Sequence, residues 1–108
     1  MSIGRVRSSE FKTIYTQGKR YTTGSFTCYM LAGTERGAAF VASSAAVGNA
    51  ILRNRARRLM REAFRLLEKE KGPIKGKIIF KAGPNIRGKQ LQDVYAALLQ
   101  IAGRFERS

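Results

Sequence analysis

The chain has 108 residues, a net charge of +14 and no histidine, so it is expected to form one domain over residues 1–108 and to favour a polyanionic partner. Its single cysteine, Cys28, excludes an intrachain disulfide framework and a thiolate zinc site, and no apolar run is long enough to span a bilayer. Because no apolar stretch follows the arginines of residues 1–7, we expect no secretory signal and a cytoplasmic protein.

The first part of the chain predicts one short helix and then strands. Ser8–Ser9 can cap a helix over residues 10–17, and a basic connection with room for a short edge strand follows it. Residues 26–31 alternate as a strand does, with Phe26, Cys28 and Met30 on one face and Thr27, Tyr29 and Leu31 on the other. A second strand at 38–43 follows a turn, which predicts that the two strands pair as a hairpin.

The second part of the chain predicts a long helix, a buried strand and a last helix. Asn49 is a suitable N-cap for a helix over about 50–70 that Gly72–Pro73 ends. The strand at 77–82 is apolar in its middle, which places it centrally in the sheet. A helix at about 89–104 follows. The order α-β-β-α-β-α predicts an α+β fold, a two-layer sandwich of helices on a small mixed sheet.

The long helix separates apolar and basic residues. At about 100° per residue, the apolar side collects Ile51, Leu52, Ala56, Leu59, Ala63, Leu66 and Leu67. The opposite side collects Asn54, Arg58, Arg61 and Arg65, with Arg57 beside them and Arg53 and Arg55 at the edges. Guanidinium groups bind phosphate through paired hydrogen bonds and stack on bases. This side therefore predicts contact with nucleic acid, and the alternative is a solvated charged face, which normally mixes both signs.

Residues for catalysis are scarce. Without histidine, the Ser-His, Cys-His and histidine-metal sites are excluded, and the seven acids are scattered along the sequence. The segment 83–89 fits G-x-x-x-x-G-K, but Gln90 replaces the hydroxyl residue that a phosphate-binding loop needs for magnesium. Pro84 also lacks an N–H for the phosphate cradle, so we reject nucleotide binding.

The segment V-G-N-A-I-L-R-N-R-A-R-R-L-M-R-E-A-F-R over residues 47–65 resembles the signature of the bacterial ribonuclease P protein subunit. The similarity extends over almost the whole chain, from an N-terminal R-x-R and a helix with two aromatic residues to an I-I-x-x-A strand. It implies a ribonucleoprotein endonuclease that removes the 5′ leader of precursor tRNA. Catalysis there belongs to an RNA with bound magnesium, the protein binds no cofactor of its own, and the fold has a left-handed βαβ crossover.

The resemblance also implies two binding surfaces. The residues expected to face the catalytic RNA are Asn49, Arg53, Asn54, Arg55, Arg57, Arg58, Arg61 and Arg65. The residues expected in a cleft for the single-stranded leader are Phe11, Tyr15 and Tyr29, where stacking on bases is tolerant of sequence. A core position is nearly as good an interpretation for Phe11, because Ile14 shares its helix face. Phe26 and Phe80 are assigned to the core.

One departure from the family pattern lies just before the signature. The family usually has two lysines after a serine, whereas this chain has Ser44-Ala45-Ala46. Either RNA affinity is weaker, or basic residues elsewhere compensate, for which the candidates are Lys19, Arg20, Lys75 and Lys77.

The implied partners are ribonuclease P RNA and precursor tRNA, with no membrane and no small-molecule substrate. The rival interpretation is a ribosomal or general RNA-binding protein without a processing role. Composition does not separate the two, since both would be small and basic. The signature and the aromatic cleft favour the first.

Overall fold

The computed structural model describes residues 6–107, with side chains from residue 6 to residue 105. Its elements, in chain order, are α1 (Ser8–Gln17), β1 (Lys19–Thr22), β2 (Phe26–Ala32), β3 (Gly37–Val41), α2 (Ala50–Lys71), β4 (Gly76–Ala82), a 3₁₀ turn (Pro84–Ile86) and α3 (Leu91–Arg107). The α+β fold is confirmed, and the short edge strand β1 is present. Within the described residues, no helix is both long and apolar enough to cross a membrane. Arg5, the first residue of the N-terminal R-x-R, lies outside the described residues.

The four strands form one mixed sheet in the order β1-β2-β4-β3. The predicted hairpin of the strands at 26–31 and 38–43 is wrong, because β4 lies between them. Phe80 of β4 is aligned with Cys28 of β2 on one side and with Phe40 of β3 on the other. Ile78, Ile79 and Phe80 are all buried, so β4 is apolar on both faces and is stable only in the interior of the sheet.

Helix α2 connects two parallel neighbours. Strands β3 and β4 pair in parallel, from Gly37 with Lys77 to Val41 with Lys81, and such a connection requires a crossover element. Helix α2 ends at Gly72, whose φ of 89° is a left-handed conformation that glycine adopts at little cost. The left-handed crossover implied by the resemblance stays a prediction.

The main core lies between one sheet face and helices α2 and α3. Phe80 is at its centre, with ring centroids 5.3 Å from Phe64 of α2 and 5.6 Å from Phe26 of β2. Leu98 of α3 is fully buried in the same cluster. The assignment of Phe26 and Phe80 to the core is confirmed, and Cys28 is buried with them.

Helix α1 lies on the opposite sheet face, across β2 and β4. Ile14 and Ile79 are fully buried and belong to this side rather than to the main cluster. Glu10, near the start of α1, pairs with Lys77 of β4. Tyr15, near the end of the helix, contacts Tyr29 of β2. Helix α1 therefore covers one end of this face and leaves the end near Thr27 and Lys81 uncovered.

The assignment of Ile51 to the apolar side of α2 is wrong, since its side chain is 79% exposed. At about 100° per residue, Ile51 lies about 20° from Arg58, whereas Met60 and Phe64 occupy the buried side instead. The 22 residues of α2 extend about 33 Å. The five residues of β3 extend only about 17 Å, so α2 is much longer than the strand before it, and residues 49–51 at its start are all exposed.

Candidate nucleic-acid interface

The outer side of α2 carries an exposed row that we call the arginine stripe, which consists of Asn54, Arg58, Arg61 and Arg65. All four are exposed, while Leu59 and Ala63 between them are buried. The helical period of 3.6 residues places positions 54, 58, 61 and 65 on one side. The predicted division of this helix is therefore confirmed for these positions.

Contacts with neighbouring side chains hold two arginines of the stripe in place. Nε of Arg58 donates to Oε1 of Glu62 at 3.1 Å, one turn further along the helix. The guanidinium carbon of Arg61 lies 5.4 Å from the centroid of the Phe40 ring, a cation–π distance. Arg65 has no hydrogen bond or ion pair to the described part of the chain. The guanidinium groups thus keep donors that face solvent.

The other candidate residues of α2 are only partly available. The side chain of Asn49 caps the helix by accepting from the Leu52 N–H at 3.0 Å. Nη2 of Arg55 donates to the Lys89 carbonyl at 2.5 Å, which ties α2 to the segment before α3. Nη2 of Arg57 donates to Oδ1 of Asn54 at 2.5 Å. Each of these groups therefore combines a structural contact with proximity to the stripe.

Arg53 differs from the other predicted RNA contacts in its position on the helix. It lies on the core side of the helix, about 20° from both Met60 and Phe64 at about 100° per residue, and not at the edge that the sequence predicts. Its Nε is buried and has no hydrogen-bond partner among the described residues. A buried, unpaired donor is costly, so this guanidinium is the one in α2 that gains most from an acceptor.

Three rings form a continuous group, the aromatic row, which consists of Phe11, Tyr15 and Tyr29. The rings of Phe11 and Tyr15 have centroids 6.1 Å apart, and those of Tyr15 and Tyr29 are 4.7 Å apart at an interplanar angle of 86°. All three side chains are half-buried. Burial, and to a lesser extent the neighbouring Tyr29, raises the pKa of Tyr15, so its hydroxyl stays neutral. Phe11 thus lies outside both buried layers, at the outer end of the row.

The uncovered end of this sheet face includes basic and hydroxyl residues that the sequence analysis did not select. Lys81 is exposed and is aligned with Thr27 on β2 and with Val41 on β3. Because side chains alternate along a strand, Lys81 lies on the same sheet face as Ile79 and on the opposite face from Phe80. Tyr29 is aligned with Ile79, so it shares this face. The β3 end at Val41 leads through residues 42–49 into α2, which brings this face and the first turn of α2 to the same end of the sheet.

Four basic residues are candidates to compensate for the missing lysine pair, and one of them, Lys77, already forms ion pairs within the protein. Its Nζ pairs with Glu10 and also lies 3.2 Å from Oε1 of Glu35. Lys19 and Arg20 are exposed on β1, at the sheet edge opposite β3, and Lys75 is exposed before the start of β4. None of the four is located where residues 44–46 are, beside the first turn of α2.

Within residues 6–105, no three His, Cys, Asp or Glu side chains lie close enough together to hold a metal ion. Cys28 is an unsuitable nucleophile, because burial raises the pKa of its thiol to about 12. Helix α2 carries eight of the 21 lysines and arginines of the chain.

A mixed sheet whose parallel crossover helix bears an outward arginine face defines a class of small basic α+β proteins. The chain belongs to the ribonuclease P family, whose sequence model, described as Ribonuclease P, matches residues 6–106. A relative named ribonuclease P protein component from Dictyoglomus turgidum is 31% identical over 97 residues, which are 88% of this chain and 82% of the relative. One of the same name from Clostridioides difficile is 29% identical over 102 residues, 94% of this chain and 90% of the relative.

Solved structures share the fold. The Staphylococcus aureus RNase P protein, determined at 2.0 Å, superposes with a TM-score of 0.79 at 20% identity, over 96% of this chain and 95% of that one. The RNase P protein from Thermotoga maritima gives a TM-score of 0.77 at 23% identity, over 93% of this chain and 96% of that one. The described fold is therefore that of RNase P proteins.

Proposed function

We propose that this chain is the RNA-binding protein subunit of a ribonuclease P holoenzyme, and that α2 docks it on the catalytic RNA. The observation that carries this proposal is the arginine stripe on α2, a row of exposed guanidinium groups on a helix whose opposite side is anchored in the core. Arginine binds phosphate oxygens in pairs, and a rigid helix holds several of them in a fixed spacing. Family membership supports the RNA of the same ribonucleoprotein as the partner.

The aromatic row supports a second contact, to the single-stranded 5′ leader of precursor tRNA. A single strand offers base faces, and half-buried rings on a sheet bind them by stacking at about 1–3 kcal/mol per base with little sequence preference. Lys81 and Thr27 beside Tyr29 offer contacts for the leader backbone. An enzyme that acts on many leaders needs this tolerance.

In this proposal the holoenzyme is an endoribonuclease, and the RNA component with its magnesium performs the cleavage. The protein binds and orients, through the arginine stripe on one side and the aromatic row on the other. The absence of a carboxylate or histidine cluster among residues 6–105 agrees with this division of labour. We expect the holoenzyme to act in the cytoplasm, where precursor tRNA is processed.

The rival is a general RNA-binding protein with no processing role. It would need the arginine stripe but would have no use for a row of rings on the other sheet face. The contact of Tyr15 with Tyr29, and the exposure that both retain, therefore favour the processing subunit.

The decisive experiment is reconstitution with the cognate catalytic RNA and a precursor tRNA at low magnesium concentration. We expect cleavage with RNA and protein together, and no cleavage with protein alone. The double variant Arg58→Ala/Arg61→Ala should raise the dissociation constant for the catalytic RNA by at least tenfold, since each charged contact contributes about 1 kcal/mol or more.

A matched control is Lys75→Ala, which removes one exposed charge at the opposite end of β4 from Lys81. It should leave RNA binding within about twofold of the wild type. An equal loss of binding free energy per charge removed, in the control and in the double variant, would show that binding follows net charge alone. Cleavage by the protein without RNA would overturn the proposal.

A further inference from the structure

An apolar residue follows the arginine stripe on the same side of α2, toward the start of the helix. Ile51 lies in the first turn of α2, on the same side as Asn54 and Arg58, and its side chain is 79% exposed. Leu99, the other exposed large apolar residue of the described chain, is 38% exposed and lies on α3. Ile51 is therefore the most solvent-exposed large apolar side chain that the structure describes.

Ala50, the residue before Ile51, is exposed as well and carries no charge. In the loop before the helix, Ser43 Oγ accepts from the Ala46 N–H at 3.1 Å. Ile51 and Ala50 thus form a small exposed apolar area, the Ile51 patch, at the start of a helix side that otherwise offers guanidinium groups.

A phosphate backbone gains nothing from isoleucine, so the patch requires a different group on the same partner. RNA offers one wherever a base is unpaired, because its face is then exposed to solvent and is stabilised by apolar contact. A second copy of this chain is a poor occupant, because two arginine stripes would face each other and the net charge of each chain is +14.

We propose that Ile51, with Ala50, packs against the face of an unpaired nucleobase in the catalytic RNA. The inference rests on the proposed function, since it takes the same RNA as the partner of the arginine stripe. The stripe supplies the salt-dependent part of the affinity, and the Ile51 patch supplies a salt-independent part.

The test is the dissociation constant for the catalytic RNA, measured from low to high salt, for the wild type, Ile51→Ala, Ile51→Val and Arg58→Ala. We expect Ile51→Ala to weaken binding by about tenfold at every salt concentration, without a change in the slope of log K against log salt. Ile51→Val should restore most of the affinity. Arg58→Ala should instead reduce the slope by about 0.7–0.9.

Leu99→Ala is the matched control and should leave binding unchanged. Thermal unfolding should be the same for Ile51→Ala and the wild type, because the side chain is largely exposed. Wild-type affinity in Ile51→Ala would overturn this inference while leaving the proposed function intact. So would a loss that appears only with precursor tRNA, or a change in oligomeric state by sedimentation. If the wild type itself failed to bind the catalytic RNA, the proposed function would fall first.

Discussion

Tyr15 of α1 meets Tyr29 of β2 edge to face, with ring centroids 4.7 Å apart, so a helix and a sheet share one aromatic surface. The contact fixes the orientation of both rings before any ligand is bound. Rings held in this way lose little side-chain entropy when a base stacks on them. Tyr29 contributes to the surface from β2, which is paired on both sides, with β1 and β4.

Tyr29→Ala should weaken binding of precursor tRNA to the holoenzyme by about 5- to 150-fold, which corresponds to the roughly 1–3 kcal/mol of one stacked base. Binding of mature tRNA should not change, because it has no leader. Tyr29→Phe keeps the ring and should bind both like the wild type. An equal loss on precursor and mature tRNA would argue against a leader contact at this residue.

Affinity for the catalytic RNA should depend steeply on salt. If roughly six phosphates are neutralised by α2 and its neighbours, the association constant should fall about a thousandfold between 50 and 200 mM monovalent salt. Filter binding or fluorescence titration at four or more salt concentrations measures the slope. A nearly flat response would exclude the electrostatic docking of α2.

Glu62→Gln should strengthen RNA binding. Glu62 accepts from Arg58 at 3.1 Å and is the acid within the arginine-rich part of α2, so its removal releases a guanidinium and reduces repulsion of phosphate. We expect a gain of about three- to tenfold at low salt that disappears at high salt. Glu35→Gln, on a side chain that is 82% exposed and pairs with Lys77 of β4 rather than with the arginine stripe, is the control, and a similar gain there would mean a non-specific charge effect.

Glu68 should matter for folding more than for binding. It pairs with Arg36, near the start of β3, and accepts from the Ile74 N–H at 3.0 Å, so it ties the end of α2 to the loop before β4. Glu68→Ala should lower the free energy of unfolding by about 1–3 kcal/mol, measured by urea denaturation. Glu70→Ala, which removes an exposed hydrogen bond to Tyr95, should cost less than about 0.5 kcal/mol, and equal costs would contradict the role of Glu68.

Cys28 should make stability sensitive to alkaline pH. Burial raises the pKa of its thiol from 9.0 to about 12, so the folded state disfavours the thiolate. Below pH 9 the thiol is neutral in both states and this contribution to stability is complete. As the pH rises from 9 to about 12, only the unfolded state ionises, and up to roughly 4 kcal/mol is lost.

The comparison that isolates this effect is Cys28→Ala against the wild type, by urea denaturation between pH 8 and pH 11. The stability of the variant should fall less with pH, because tyrosines and lysines titrate in both proteins. Parallel curves for the two proteins would show that the thiol is not responsible. A thiol reagent should label native Cys28 slowly, at a rate that rises with urea.

Local patterns in the sequence predicted most helices and strands correctly. In β2 and β4, for example, the core residues Cys28 and Phe80 alternate with residues that point to the opposite face of the sheet. The hairpin of β2 and β3 failed because the pairing of both strands with β4 is decided by residues about 50 positions further along the chain from β2. The assignment of Ile51 to the core side is wrong because helical geometry places this residue about 20° from Arg58, on the outer side of α2. The stripe at Arg58 and Arg61 was predictable because helical period alone defines it.

Contacts between distant segments account for the rest of the site. Nothing in the spacing of Tyr15 and Tyr29 shows that their rings touch, and the position of Lys81 beside Thr27 depends on the register of β4. The pairing of Lys77 with Glu10 and Glu35 was likewise not visible, since it joins three separate elements. Each of these facts needs the tertiary fold.

The insertion of β4 between β2 and β3 has a consequence for synthesis on the ribosome. Until residue 82 has emerged from the ribosomal exit tunnel, β2 and β3 each present an open edge toward the gap, and α2 has no completed sheet to lie on. Nascent chains with such edges are prone to aggregation. The arginine face therefore gains its rigid backing in one late cooperative step, and only a chain translated past β4 holds the proposed docking helix in its final position.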